Sequence, residues 1–194
     1  MNIAHIEARS YIYGPGCRFV IWTQGCSLRC PGCWNDALWD FRDNRLMSVD
    51  AVLTQVATTG AAIEGITLLG GEPLDQYEET LALARLCQST GLSVMLFTGY
   101  DRAEIQQKGM AAIMDWTDIL ITGRYDKDKR TLEHQWIGST NQEIHFVSDR
   151  YRDYQMQDAN YMEINIDGTG SITVLGFPDD NIRDKVLQDS GEIL

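Results

Sequence analysis

The sequence predicts an α/β fold: an incomplete (β/α) barrel or open sheet of four to six parallel strands, followed by a C-terminal β-hairpin. Three observations carry this expectation. Short β-branched, apolar runs alternate with stretches of helical period, the pattern of βαβ units and a parallel sheet. The 194 residues suffice for one domain with a core, whereas a closed barrel of eight units takes about 250. Near the end, YMEINIDGTGSITVLGF (161–177) alternates on either side of Asp-Gly, a hairpin signal. The chain reads as a single domain over 1–194, with a core at about 14–148 and an extension over 149–194.

Each element has a local reason. RFVIWTQ (18–24) is β-branched and aromatic, a strand that runs into a cysteine loop. Ser48 caps a helix whose Val49, Val52, Leu53 and Val56 fall at i, i+3, i+4 and i+7. GITLLG (65–70) reads as a buried strand. Asp75 and Glu78 predict a capping box for a helix running to about Ser89, which Gly91 ends. SVMLFTG (93–99) repeats the strand, Asp101 with Glu104 repeats the capping box, and Gly109 marks that helix's end. DILITG (118–123) and EIHFVS (143–148) are two further apolar strands. In parallel α/β folds, ligands lie beyond the carboxyl ends of the strands. Residues 26–33, Gly70-Gly71-Glu72, Thr98-Gly99-Tyr100 and Gly123-Arg124 all follow strand ends, so one rim is expected to gather them.

Composition narrows the function classes. Hydrophobic residues make up 44% and charged residues 23%, as in soluble globular proteins. No apolar run approaches the ~18–20 residues of a membrane span, and MNIAHIEARS lacks the basic-then-apolar pattern of a secretory signal. A cytoplasmic protein with no membrane partner is expected. Net charge is −12, with five arginines against four acids in residues 1–45 and a balance of −13 in the remainder. Such a surface repels phosphate backbones, so nucleic acid is not an expected partner. Five cysteines in a cytoplasmic chain point to metal or catalytic use, away from a disulfide framework.

TQGCSLRCPGCWN (23–35) places Cys26, Cys30 and Cys33 within eight positions. Two cysteines would suit a redox dithiol and four a closed structural metal site. Thiolates in a compact loop bind soft metals, with neighbours expected to favour the ionised form. Structural zinc takes four ligands, and His5, His134 and His145 are all remote from the loop and read as structural, without local partners. Iron–sulfur clusters are usually held by four thiolates, so three would leave one iron open for a ligand. Zinc and a non-enzymatic iron–sulfur protein both remain readings at this point. Cys17 reads as a loop thiol, its approach to the cluster loop open, and Cys87, among Leu83, Ala84 and Leu86, as a core residue.

Cys26-x3-Cys30-x2-Cys33 resembles the cluster signature of radical S-adenosylmethionine (SAM) enzymes. Its setting, GPGCRFVIWTQGCSLRCPGCWN, resembles the activating enzymes of glycyl radical enzymes, and among them the activases of anaerobic ribonucleotide reductase. The likeness covers roughly 14–147. It implies a 4Fe–4S cluster whose open iron binds the amino and carboxylate groups of SAM. Reduction, by a reduced flavodoxin or ferredoxin, then yields methionine and a 5′-deoxyadenosyl radical that abstracts hydrogen from a glycine Cα of a partner enzyme. No side chain is needed as acid, base or nucleophile, and none is named as catalytic.

Further residues carry the resemblance. Gly70-Gly71-Glu72-Pro73 resembles the family's GGE element, which contacts the SAM ammonium. Thr98 is expected as a ligand contact, whereas Tyr100 reads as a staple onto Ile105. Arg124 is expected either to hold the SAM carboxylate or to belong to a solvated basic face in RYDKDKR. Thr122 stands where related activases carry Asp, which leaves that contact unassigned. Gly138-Ser139-Thr140-Asn141-Gln142 resembles the activase GS-x-NQ stretch, with Asn141 either hydrogen-bonding SAM or serving a polar turn. Gly32 precedes the third cysteine where the superfamily commonly has an aromatic, and Trp34 supplies one a place later. The alternative substrate is a small molecule or a ribosomal peptide. Many peptide-modifying members carry extra C-terminal clusters, and no cysteine follows Cys87. An open barrel side favours a macromolecular segment reaching in.

Overall fold

The computed structural model describes residues 1–59, 62–179, 181–182, 185 and 192–193. In chain order the main elements are β1 (Asn2–Ser10), β2 (Arg18–Thr23), β3 (Arg45–Leu46), α1 (Val49–Thr58), β4 (Gly65–Gly70), α2 (Tyr77–Ser89), β5 (Ser93–Phe97), α3 (Arg102–Gln107), β6 (Ile119–Thr122) and β7 (Glu143–Phe146). They form one sheet in the order β3-β1-β2-β4-β5-β6-β7. β2, β4, β5 and β6 run parallel, while β1 and β7 pair antiparallel on the two sides. β8 (Met162–Ile166), β9 (Ile172–Gly176) and β10 (Glu192–Ile193) make a second, smaller sheet in the order β10-β9-β8.

The α/β fold with a mainly parallel central sheet and a C-terminal hairpin is as expected. Two strands differ. EIHFVS does form β7, but it returns antiparallel. A parallel return needs a crossover, usually a helix, and among the described residues 123–142 only the 3₁₀ turn Lys127–Lys129 forms. β1 has no counterpart in the sequence reading, because N-I-A-H-I-E-A-R-S alternates too weakly to announce a strand. It is made by pairing with the apolar β2.

Period-two alternation sends each strand's side chains to two cores. Phe19, Ile21, Ile66, Leu68, Val94, Leu96 and Leu120 face α1, α2 and α3, meeting Val52, Val56, Leu83, Cys87 and Ile105. Val20, Trp22, Leu69, Met95, Ile119 and Ile121 point to the opposite face, where Tyr13, Leu175 and Tyr151 pack against them. Helices thus cover one face, and loops with the C-terminal hairpin cover the other.

That second face is plugged at the amino ends of the strands. Arg18 is fully buried there, donating to Thr67 Oγ1 at 2.6 Å, Ser93 Oγ at 2.9 Å and the Ile66 carbonyl. The Tyr151 hydroxyl sits 2.8 Å from both Ser93 Oγ and Glu64 Oε1, extending the polar plug. The carboxyl ends are left for the site.

The caps behave as local rules dictate, with one exception. Ser48 Oγ accepts from Ala51 N at 3.2 Å, and Asp101 and Glu104 form a reciprocal capping box on α3. The Asp75–Glu78 box does not form. Pro73 starts a 3₁₀ turn, Pro73–Gln76, whose first amides are capped by Glu72, so α2 begins only at Tyr77 and Asp75 is released for another partner. The hairpin turn is also longer than a two-residue Asp-Gly turn. Asp167 N donates to Ser171 O at 3.0 Å, and Gly170 takes the positive φ.

Candidate functional site

The cysteine loop leaves β2 and is stitched at once to its neighbour. Gly71 N donates to Thr23 O at 2.8 Å and Glu72 N to Gly25 O at 2.9 Å, binding the exits of β2 and β4 together. A Cβ on Gly71 would stand 2.1 Å from Gly25 O, so only glycine permits this closure. The two glycines of the GG pair thus serve the approach of backbone to backbone. Within the loop, Cys33 N donates to Cys30 O at 3.0 Å across Pro31-Gly32, and Gly32 has φ +75°. Proline followed by a positive-φ glycine is the type II turn signature.

All three cysteines of the loop are free thiols lining one cavity, Cys26 buried and Cys30 and Cys33 partly so. Desolvation pushes each thiol up from its ordinary value, outweighing the backbone amides that oppose it. Neighbours that favour the thiolate are present, backbone amides at all three cysteines and Arg124 beside Cys30, but burial outweighs them. A coordinated soft cation would have to do the deprotonating. Among the described residues no three His, Cys, Asp or Glu side chains form a group that could hold a metal ion.

Gly70, Gly71, Glu72, Thr98, Gly99 and Gly123 line the same cavity, so the strand-end residues do meet on one rim. Glu72 is 1% exposed. Its Oε1 accepts from Leu74 N at 2.9 Å and Thr98 Oγ1 at 2.8 Å, and its Oε2 from Gly99 N at 2.8 Å. Burial nonetheless raises its carboxyl to about 7, against the pull of those donors.

Asp75 and Tyr100 form a clamp that sequence reasoning missed. Asp75 accepts from Ser27 N at 2.6 Å and Ser27 Oγ at 2.8 Å, while Tyr100 OH donates to Asp75 Oδ1 at 3.1 Å. The residue after Cys26 is thereby tied to the exits of β4 and β5. Tyr100 is therefore a clamp residue through its hydroxyl, while its ring, flanked by Lys108 and Arg124, belongs to the same apolar cluster as Ile105. The only signal was an acid and a tyrosine after two strand ends.

Arg124 and Asn141 lie beside the cavity, outside its lining. Both terminal nitrogens of Arg124 bind Glu104, at 2.7 and 2.8 Å. The pair drives the Glu104 carboxyl down to about 2, chiefly through the Arg124 hydrogen bond. Asn141 donates to Arg124 O at 2.8 Å, and Gln142 Nε2 to Gly123 O at 3.1 Å, so the GSTNQ stretch holds the β6 exit in shape. Thr122 Oγ1 lies 2.9 Å from His145 Nε2, which accounts for both residues. His134 faces Asp158 at 3.8 Å and His5 packs edge-on against Trp22, so the histidines do have partners, and these are structural. Cys17 sits beyond the amino end of β2, where its carbonyl accepts from Glu64 N at 2.7 Å, at the far end of the strand from the cysteine loop. Cys87 is a buried core residue on α2, its thiol pushed up to about 12.

The C-terminal segment walls part of the cavity. Gln135, Trp136, Ile137 and Gly138 line it together with Asn160, Tyr161, Gly176 and Phe177 of the C-terminal segment.

Comparison with known proteins adds independent findings. Residues 12–145 match the family described as a 4Fe-4S single cluster domain. The anaerobic ribonucleoside-triphosphate reductase-activating protein of Enterobacteria phage T4 is 32% identical over 149 residues, 74% of this chain and 93% of that protein. Its namesake in Escherichia coli K12 is 28% identical over 154 residues, 76% of this chain and 99% of that one. The protein of the same name in Salmonella typhimurium is 28% identical over 143 residues, covering 70% and 92%.

Proposed function

The chain belongs to the 4Fe-4S single cluster domain family and to the anaerobic ribonucleoside-triphosphate reductase-activating proteins, and on that premise we propose how its residues serve the activation. It is a radical SAM activating enzyme that uses a 4Fe–4S cluster and SAM to generate a glycyl radical on a partner enzyme, an anaerobic ribonucleotide reductase. The observation that carries the reading is the convergence of Cys26, Cys30, Cys33 and the buried Glu72 carboxylate on one cavity at the carboxyl ends of parallel strands.

The residues suit the group. Three free thiols line one cavity, which suits an iron–sulfur cluster held by cysteine thiolates, whereas a structural zinc takes four ligands. Cys26, Cys30 and Cys33 would hold the cluster, which when bound and reduced would supply the electron for the reductive cleavage of SAM. This chain's side chains bind and orient. Glu72 accepts the SAM ammonium as a charge-assisted hydrogen bond, with Thr98 and the Gly70-Gly71 backbone beside it. Arg124 holds the SAM carboxylate, which requires it to leave Glu104, and Asn141 hydrogen-bonds SAM, which requires its amide to leave the Arg124 carbonyl. No side chain transfers a proton in the radical step.

The sheet in this reading is an incomplete (β/α) barrel. Its support is that β2, β4, β5 and β6 stand side by side and parallel in the sheet, with α1, α2 and α3 packed on one face. We read the chain as one cytoplasmic domain, and a reduced flavodoxin or ferredoxin as its electron donor. Among the described residues no helix is long and apolar enough to cross a membrane.

One observation favours the second reading, a small molecule or ribosomal peptide as substrate: the C-terminal segment walls part of the cavity. Enclosure suits a small ligand. The assignment to a radical SAM activase is tested at the cluster. Anaerobically reconstituted protein is expected to hold about four irons and to cleave SAM when reduced. Cys26→Ala, Cys30→Ala or Cys33→Ala abolishes cleavage, whereas Cys87→Ser retains it. Stoichiometric zinc without iron uptake would overturn the assignment.

A further inference from the structure

Phe177 stands outside the family match, which ends at residue 145, yet it reaches the cysteine loop. Its ring packs on Trp34, the residue after Cys33, with centroids 5.2 Å apart and planes 31° from parallel. The Tyr125 ring lies 6.4 Å from it on another side. The strap is pinned at successive peptides: Asn160 Nδ2 donates to Phe177 O, and Arg130 donates to Pro178 O at 3.1 Å. The same Arg130 guanidinium lies 5.5 Å from the centre of the Trp34 ring.

Two glycines are shaped to this seat. A Cβ on Gly138 would stand 2.8 Å from the Phe177 ring, so glycine there admits it. Gly176, which turns the chain out of β9, has φ +100° and a Cβ position 2.6 Å from Tyr161 O. Gly176 N in turn donates to the hydroxyl of the buried Tyr13 at 2.8 Å. Trp34, Tyr125, Gly138, Asn160, Gly176 and Phe177 all line the cavity that Cys33 lines.

We propose that Phe177 is a positioning residue for the cluster loop: the C-terminal strap carries it onto Trp34 and thereby holds Cys33 in place and walls its side of the cavity from water. The proposal deepens the reading of this cavity as the cluster site and rests on it for its meaning. Aromatic pairs add specific attraction beyond the area they bury. Solvent access is also one of the factors that set an iron–sulfur cluster's potential. An extension beyond the matched family residues therefore acts on the centre of the site.

The test begins with the full-length apo protein, reduced and without iron, so it does not depend on the cluster assignment. Iodoacetamide labelling is followed residue by residue by mass spectrometry. Phe177→Ala is expected to raise the labelling rate of Cys33 on the order of tenfold, the scale of one lost aromatic contact opening the loop locally, with the buried Cys87 unchanged. Phe177→Tyr keeps the ring and restores the slow rate, whereas Phe177→Leu does not. Gly138→Ala, which displaces the ring without removing it, opens Cys33 as well. In the reconstituted protein, Phe177→Ala moves the cluster midpoint potential upward, since water stabilises the more negative reduced state. An unchanged Cys33-to-Cys87 labelling ratio in Phe177→Ala overturns the proposal, whether both rates stay low or both rise with general unfolding. Failure to bind iron with the labelling pattern intact would instead count against the cluster reading alone.

Discussion

Glu72 and Gly99, at the exits of adjacent strands, are joined by a 2.8 Å hydrogen bond from the Gly99 amide to the Glu72 carboxylate. The carboxylate is thus a structural tie between β4 and β5 as well as the group offered to a ligand ammonium. Its folded carboxyl lies at about 7, above the model-peptide range, because burial outweighs its donors. A carboxyl raised on folding binds its proton more tightly in the folded state. Its share of stability is therefore fully present below about 4.5 and lost as pH rises to about 7. Urea unfolding of the apo protein at pH 5 and pH 7.5 checks this, and Glu72→Gln is expected to flatten the difference. An arriving ammonium favours the ionised form, so SAM binding near pH 6.5 should release a fraction of a proton. Calorimetry in two buffers of different ionisation enthalpy measures it, and no proton release would remove Glu72 from the ammonium.

The Asp75 clamp predicts a different phenotype. Asp75→Ala deprives Ser27 N, Ser27 Oγ and Tyr100 OH of their common acceptor. It should cost about 1–2 kcal/mol, allowing for the exposure of the Ser27 bonds. Iron loss to a ferrous chelator is expected to quicken in Asp75→Ala and to be intermediate in Asp75→Asn. Equal chelation rates in all three proteins would reduce the clamp to a stability feature.

Arg124 and Glu104 make opposite predictions for SAM affinity. If Arg124 reads the SAM carboxylate it must give up Glu104, so Arg124→Ala weakens binding by ~1.5–3 kcal/mol while Glu104→Ala strengthens it. Unchanged affinity in both variants would leave Arg124 as an anchor of α3. The pair also predicts an acid effect. The Glu104 carboxyl is depressed to about 2, so its stabilisation is present above about 4.5 and lost as pH falls towards 2. Partial exposure keeps this contribution small.

Residues whose meaning is local were legible in the sequence. Ser48 and the Asp101–Glu104 box cap as their spacing dictates, and the apolar runs of β4, β5 and β6 place the Gly70-Gly71-Glu72, Thr98-Gly99 and Gly123 turns on one rim. What stayed hidden depends on partners far away in sequence. Asp75 abandons a local cap for Ser27, 48 positions earlier. Thr122 finds His145 only because β7 turns back antiparallel. Phe177 gains its role from Trp34, and no spacing rule connects residues so distant. The GG pair was legible as glycine at a strand end, but its tight partner is the Gly25 carbonyl, which only the paired strand exits reveal.

The central claim is the transfer of a hydrogen atom from a glycine Cα of a partner enzyme. It is tested most directly by mixing the reduced, reconstituted protein and SAM with a co-occurring anaerobic ribonucleotide reductase and recording the EPR spectrum. The account predicts a glycyl radical doublet, split by the remaining α-hydrogen, that collapses when the partner's glycine is deuterated. SAM cleavage with no radical on the reductase, in step with consumption of a small metabolite or peptide, would contradict it.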